Sequence, residues 1–205
     1  MAGVKRSTTQ ERAAATRARI VRAAYDLFCA GGYRATTMEA IGKQAGVAVQ
    51  TVYFTFRTKD ELLKAVHEWT VLGDTPMPPA LQPWHVAAMK ESDARAALAK
   101  IVAGVAALNA RIAPMLAVFN SVSQQPVGEI YARSKELRRH DMGELVVALR
   151  KKTPLRAGLA QRKAADLLDF LMGPESYGAL VIEAGWTERQ WVTWTADTLN
   201  AQLFG

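Results

Sequence analysis

Cysteine is almost missing from the 205 residues; Cys29 is the only one, which excludes an intrachain disulfide. Its setting, YDLFCAGGY (25–33), is that of a small core hydrophobe rather than a reactive thiol. Histidine is scarce as well. His67, His85 and His140 fall on separate segments, and HExxH, CxxC, GxSxG and glycine-rich phosphate loops are all missing. In RRHD (138–141) the four side chains are adjacent, so they point different ways around a helix and read as a solvated charged face. No catalytic residue, metal ligand or cofactor is assigned on this basis, and an enzyme is the disfavoured reading. A long apolar run is lacking too. Ile101–Phe119 is interrupted by Asn109, Arg111 and Pro114, which reads against a membrane span. The segment MAGVKRSTTQERAAATRAR has no apolar core of a secretion signal, so a cytoplasmic protein is expected. Hairpin signals such as Asn-Gly are absent, leaving an all-α fold as the expectation.

What the chain does have is an uneven charge. Residues 1–60 hold ten Lys/Arg against four Asp/Glu, a balance of +6, out of a total of +7. A basic N-terminal module facing a polyanion and a nearly neutral body follow from that split. Half of the residues are hydrophobic, enough for an ordinary globular core. The segment GDTPMPPALQP (73–83) holds four prolines and reads as a non-helical separator.

Helical spacing of Ile20, Ala23, Ala24, Leu27 and Phe28 predicts a first helix from about Gln10 to Ala30, ended by GGY (31–33). Thr36 with Glu39 has capping-box spacing and opens a short helix to Ala45, followed by a turn at Gly46. A segment of about seven residues then begins near Ala48, and Thr58 with Glu61 opens another helix to about Val71. The segment after Gly46 is odd. VAVQTVYFTF (47–56) is rich in strand-forming residues yet sits between helices. Read as a helix, it places Val52 and Phe56 on one face with Val47 leading in, a core stripe, and turns Tyr53 and Phe54 outward. Two short helices across a glycine turn describe a helix-turn-helix, whose second helix enters the major groove. A groove accounts for the exposed aromatics: Val49 or Phe54 can touch a thymine methyl, and Gln50 can pair with adenine. Thr51 and the Tyr53 hydroxyl can bond phosphates, and Lys59 opens the next helix, where amides favour phosphate. Lys5 and Arg6 could begin an arm for a minor groove.

The stretch IVRAAYDLFCAGGYRATTMEAIGKQAGVAVQTVYFTFRTKDELLKAV (20–66) resembles the DNA-binding domain of the tetracycline-repressor (TetR) family. The matching positions are Leu27-Phe28, Gly32-Tyr33, Thr36-Thr37, Ile41, Ala45-Gly46-Val47, Thr51, Tyr53, Phe56, Lys59 and Leu62. GPESYGALVIEAGWTERQWVTWTADTLNAQL (173–203) also resembles the last two helices of one branch. The resemblance implies an all-α homodimer: a helix-turn-helix domain over 1–66, with 10–56 as its core and a fourth helix connecting, and a larger ligand-binding and dimerisation domain over 67–205. It implies a transcriptional regulator, usually a repressor, on double-stranded DNA with a near-palindromic operator. Thr37, Val49, Gln50, Thr51, Tyr53 and Lys59 would face bases or backbone. This chain departs from the family at Ala48, a poor cap, and at Val49, Phe54 and Thr55.

The second half is expected to hold helices at about 93–111, 114–123, 127–151, 161–183 and 188–203, the last opened by Thr187 with Gln190. By resemblance the two C-terminal helices would pair across a twofold axis, with Leu167, Leu168, Leu171, Leu180, Val181, Trp191, Trp194, Leu199 and Leu203 as candidate contacts. A small-molecule effector cavity is also implied. Its candidate lining is Trp84, Met89, Asn109, Met115, Phe119, Phe170, Met172 and Tyr177, residue types suited to adaptable pockets. Control by a protein partner is the alternative.

Overall fold

The computed structural model describes residues 8–74 and 76–204, and over them the chain forms helices and turns with no strand. Lys5 and Arg6 lie outside the described residues. The chain divides into two compact units, Met1–Trp69 and Thr70–Gly205.

In the first unit, α1 (Thr9–Ala35) starts at a reciprocal capping box between Thr8 and Glu11. It runs past the expected end at GGY. The helical backbone breaks at Gly32 (φ 77°, ψ 168°), and a further turn carries it to Ala35. Only glycine holds that φ without a Cβ penalty. Thr36 then follows as the C-cap, buried, its hydroxyl donating to the carbonyls of Leu27 (3.2 Å) and Gly32 (2.8 Å). It therefore does not cap the next helix, as its spacing had suggested. Thr37 does, accepting from the Ala40 amide at 3.2 Å, and α2 (Met38–Ala45) follows. Gly46, at φ 66°, ends α2 in the left-handed conformation. The puzzling segment is a helix, α3 (Val49–Thr55), and α4 (Lys59–Leu72) comes next. The expected box at its start is split: the Thr58 hydroxyl accepts from the Glu61 amide (3.1 Å), but the Glu61 carboxylate accepts from the Arg57 amide (3.0 Å).

Ile20, Ala24, Phe28, Ile41, Val52, Leu62 and Val66 are fully buried and form the centre of this unit. That burial explains how α3 survives its composition. Its β-branched and aromatic residues cost about 0.3–0.7 kcal/mol each in helix propensity. Each fully buried Val or Phe returns roughly 1.5–3 kcal/mol. A tight approach also fixes α3: a Cβ on Gly42 of α2 would lie 3.2 Å from the Val47 carbonyl oxygen and 3.3 Å from a Val52 methyl.

The second unit contains α5 (Pro83–Met89), α6 (Ala94–Ile112), α7 (Leu116–Ser121), α8 (Glu129–Arg150), α9 (Gln161–Leu171), α10 (Pro174–Tyr177) and α11 (Glu188–Phe204). α5 was not expected; Pro83 sits at its first position, where the missing N–H costs nothing. The single helix expected over 161–183 is two, because Pro174 starts a new helix after Gly173, and α10 continues into a π-helical stretch, Gly178–Glu183. Ala94–Ser121 is, contrary to expectation, long and apolar enough to cross a membrane (mean hydropathy 1.8). Its Leu98, Ile101, Val102 and Ala106 are buried in the core of the unit, as a central helix of a globular domain requires. Asn109, buried in the same helix, donates to the Met172 carbonyl at 2.8 Å. RRHD is not merely a solvated face. Arg138 bridges Asp169 (2.6 Å) and Glu175 (3.2 Å), and Tyr131 donates to Glu175 (3.0 Å), joining α8, α9 and α10.

Candidate nucleic-acid interface and effector cavity

α3 has two unlike faces. Val52 and Phe56 at its end are buried, while Phe54 is 91% and Tyr53 47% exposed. Gln50 is exposed beside them, and Val49 and Thr51 are half-buried. Val47 is half-buried rather than core. The N-cap, Ala48, makes no side-chain bond, so the first amides of α3 are left without a cap from this chain. Thr55 turns inward to its own helix, donating to the Thr51 carbonyl at 2.7 Å. Thr37 is exposed at the N-terminus of α2. Arg12, Arg17, Arg19, Arg22, Arg34, Lys43 and Arg57 are exposed on the same unit. Arg17 lies over the Phe56 ring, 5.0 Å from its centroid.

Lys59 differs from the expectation. Its ammonium donates to the carbonyls of Tyr33 (2.8 Å) and Thr36 (3.0 Å) and lies 4.4 Å from the Tyr33 ring centroid. It thus neutralises the carbonyl end of α1 instead of standing free for a phosphate. The Tyr33 hydroxyl donates to Asp60, and burial with that carboxylate pushes the phenol above its ordinary range. Glycine-tyrosine at 32–33 and Lys59-Asp60 are therefore one joint, tying the start of α4 to the end of α1. Sequence spacing alone did not show this partnership, since the two pairs are 26–27 residues apart.

The second unit has a cavity of about 290 Å³ among α5, α6 and α8. Trp84 and Met89 line it. The other expected residues are elsewhere. Asn109, Met115, Phe119, Met172 and Tyr177 are buried in packing, and Phe170 is 69% exposed. Phe119 stacks on Tyr131, and Tyr177 donates to Glu188 at 3.0 Å with its phenol pushed up to about 12, chiefly by burial. Sequence reasoning missed His85, Ile101, Val105, Met142 and Leu145, which also line the cavity. Trp84 is seated by a small residue: a Cβ on Gly104 of α6 would fall 2.2 Å from its indole.

Among the candidate dimer contacts, Leu168, Leu171, Trp191, Leu199 and Leu203 are buried within the unit. Leu167, Leu180 and Val181 are partly buried against the same core. Trp194 is 39% exposed, and Phe170 and Ile182 are exposed with it. Trp186 meets Trp194 edge-on at 5.7 Å beside a shallow groove lined by Arg189 and Asp197.

Two short helices across the Gly46 turn, the second with Gln50, Tyr53 and Phe54 facing outward, have the arrangement of a helix-turn-helix. Residues 20–66 match the model of the tetR family of bacterial regulatory proteins. The match falls within the first unit and is a likeness of that unit to the family. No curated protein matches it. Among solved structures, the fatty acid degradation regulator FadR from Bacillus halodurans is 18% identical with a TM-score of 0.68, covering 95% of this chain and 96% of that one. NalD of Pseudomonas aeruginosa, the secondary repressor of the MexAB-OprM multidrug efflux pump, is 18% identical with a TM-score of 0.66, covering 92% and 96%. A transcriptional regulator from Saccharomonospora viridis, solved with choline, is 16% identical with a TM-score of 0.70, covering 92% and 97%. At these identities the likeness is one of fold.

Proposed function

We propose that the protein is a homodimeric, cytoplasmic repressor that leaves a near-palindromic operator when a small molecule binds its second unit. The helix-turn-helix unit reads DNA, and the helical second unit holds the effector and the dimer contact. One observation carries the DNA reading: α3 buries Val52 while presenting Phe54, Tyr53 and Gln50 to solvent. A soluble protein rarely exposes such a patch without a partner. In the groove, Gln50 meets an adenine edge and Phe54 or Val49 a thymine methyl. Thr37, Thr51 and Tyr53 hold phosphates. Lys59 acts at second hand, by fixing α4 to α1. The uncapped amides at the start of α3 add donors toward the backbone.

The dimer contact uses the outward side chains of α9–α11, among them Phe170, Ile182 and Trp194. The effector reading is supported by the cavity beside Trp84 and Met89 and by the choline found in the S. viridis protein. Release requires the effector to bind the DNA-incompetent conformation better, typically by 1–3 kcal/mol of coupling. The helix that would carry the change is α4, whose end at Thr70 accepts a bond from Arg111 of α6 at 3.0 Å. The family is one of regulators, and no enzymatic role is proposed. Selection of bound fragments from random duplex DNA tests the reading. A recovered motif with two inverted half-sites is expected; recovery of no enriched sequence, or of an asymmetric single site, overturns it.

A further inference from the structure

We propose that the cavity among α5, α6 and α8 selects a small organic monocation with an apolar body, an alkyl- or arylammonium, over neutral and anionic compounds of the same size. The inference rests on reading that cavity as the effector site.

The lining is apolar along most of its wall, through Ile101, Val105, Met142 and Leu145. Among the described residues its ionisable members are His85, Asp141 and Glu144, with no Lys or Arg. Asp141 and Glu144 stand three residues apart on α8, so they share one face of the helix. Both are exposed at the rim, and neither is paired with a cation among the described residues. Trp84 contributes an indole, seated against Gly104, with His85 edge-on to it at 5.7 Å. The buried Nδ1 of His85 has no hydrogen-bond partner among the described residues, which leaves a polar atom in the lining for a ligand to satisfy.

Each ligand class meets this lining differently. An anion would face two carboxylates with no counter-charge. A neutral molecule would gain the apolar wall and nothing from the rim. A hard metal ion needs about six oxygen ligands, which an apolar wall cannot supply. An ammonium attached to a hydrocarbon satisfies every part of the site. Its body lies on the aliphatic wall, and its charge reaches Asp141 and Glu144. An aromatic face attracts the same charge. A volume near 290 Å³ is at the lower end of small-molecule sites, so the cation is small.

Calorimetric titration of the full-length protein with 3-phenylpropylammonium, 3-phenylpropan-1-ol and 3-phenylpropanoate separates charge from shape, since the three share a body. The ammonium is expected to bind at least tenfold tighter than the alcohol, with the carboxylate weakest. In the D141N/E144Q double variant the ammonium should fall to within about twofold of the alcohol, and the alcohol should be unchanged. Both positions are exposed, so an unaltered melting temperature is expected and is checked alongside. An alcohol or carboxylate that binds as well as the ammonium overturns the charge selection while leaving the cavity as an effector site. An ammonium affinity indifferent to the double variant does the same. Binding of none of the three overturns both the inference and the effector reading of this cavity.

Discussion

Gln50 and Tyr53 sit side by side on α3 and are expected to fail differently when shortened. Gln50 has the one amide side chain in the helix, a donor–acceptor pair that matches one base edge and no other. Replacing it with alanine should cost about 1–3 kcal/mol at one operator position and little elsewhere. Tyr53→Ala should weaken every sequence alike, because a phosphate contact is blind to base identity. Competition binding across single-base operator variants distinguishes the two patterns; a uniform loss for Gln50→Ala counts against its reading role. A second residue behaves as its surroundings dictate. Burial pushes the Cys29 thiol up to about 11, so the thiolate is rare at neutral pH. Alkylation by iodoacetamide at pH 8 should run at least tenfold slower in the folded protein than after unfolding in urea, the fall in thiolate outweighing its higher nucleophilicity. Equal rates would place Cys29 at an accessible, ordinary site. The outward placing of Gln50 and Tyr53 was legible from helical spacing, while Cys29, read as core, is half-buried. The cavity was not legible. Met115, Phe119 and Met172 have the same chemistry as Met89 and Trp84, and only the three-dimensional course of α5, α6 and α8 separates a lining residue from a packed one.

The elements were legible where a local signal was unique. Gly46 is one such signal, a glycine between two apolar segments that turns with φ 66°. A Gly46→Ala change has open space around its Cβ, so only backbone strain opposes it. That strain is about 1–2 kcal/mol for an L-residue in the left-handed region. Urea unfolding should show a loss of that size, and a loss below about 0.3 kcal/mol would mean the turn relaxes freely. Signals that were doubled misled. Thr36 and Thr37 are both cap-forming residues, and only Thr36 has a box partner, Glu39, three residues on. Tertiary structure chose between them by burying Thr36 beneath the kink at Gly32. Gly173-Pro174 is equally compatible with a kink or a break, and it proved a break. α5 was hidden by the prolines before it, although a proline at the first helical position is itself a start signal. The strand-like composition of α3 was overridden by burial, as the larger energy requires.

At the scale of the whole molecule, affinity for DNA is expected to be largely a matter of charge and of number. One copy of the N-terminal module has a net +6 over residues 1–60. Two copies that together neutralise roughly six to ten phosphates should lose about 10³–10⁵-fold in affinity between 50 and 200 mM salt. The slope of log affinity against log salt therefore counts modules on the duplex. This makes the proposed dimer testable without solving it. Phe170 and Trp194 are exposed on the second unit, so glutamate at both positions creates no buried charge within a protomer. In a dimer packed through that surface, the two carboxylates would be driven into an apolar contact, at several kcal/mol. The F170E/W194E variant should then elute from gel filtration at 22.4 kDa, with an unchanged helical circular dichroism spectrum. Its salt slope should be near half that of the parent, because one module remains where two bound. A variant that stays dimeric moves the interface away from α9–α11. A variant that turns monomeric yet keeps the full slope breaks the link between the dimer and the paired reading of DNA, since one module cannot release the counterions of two.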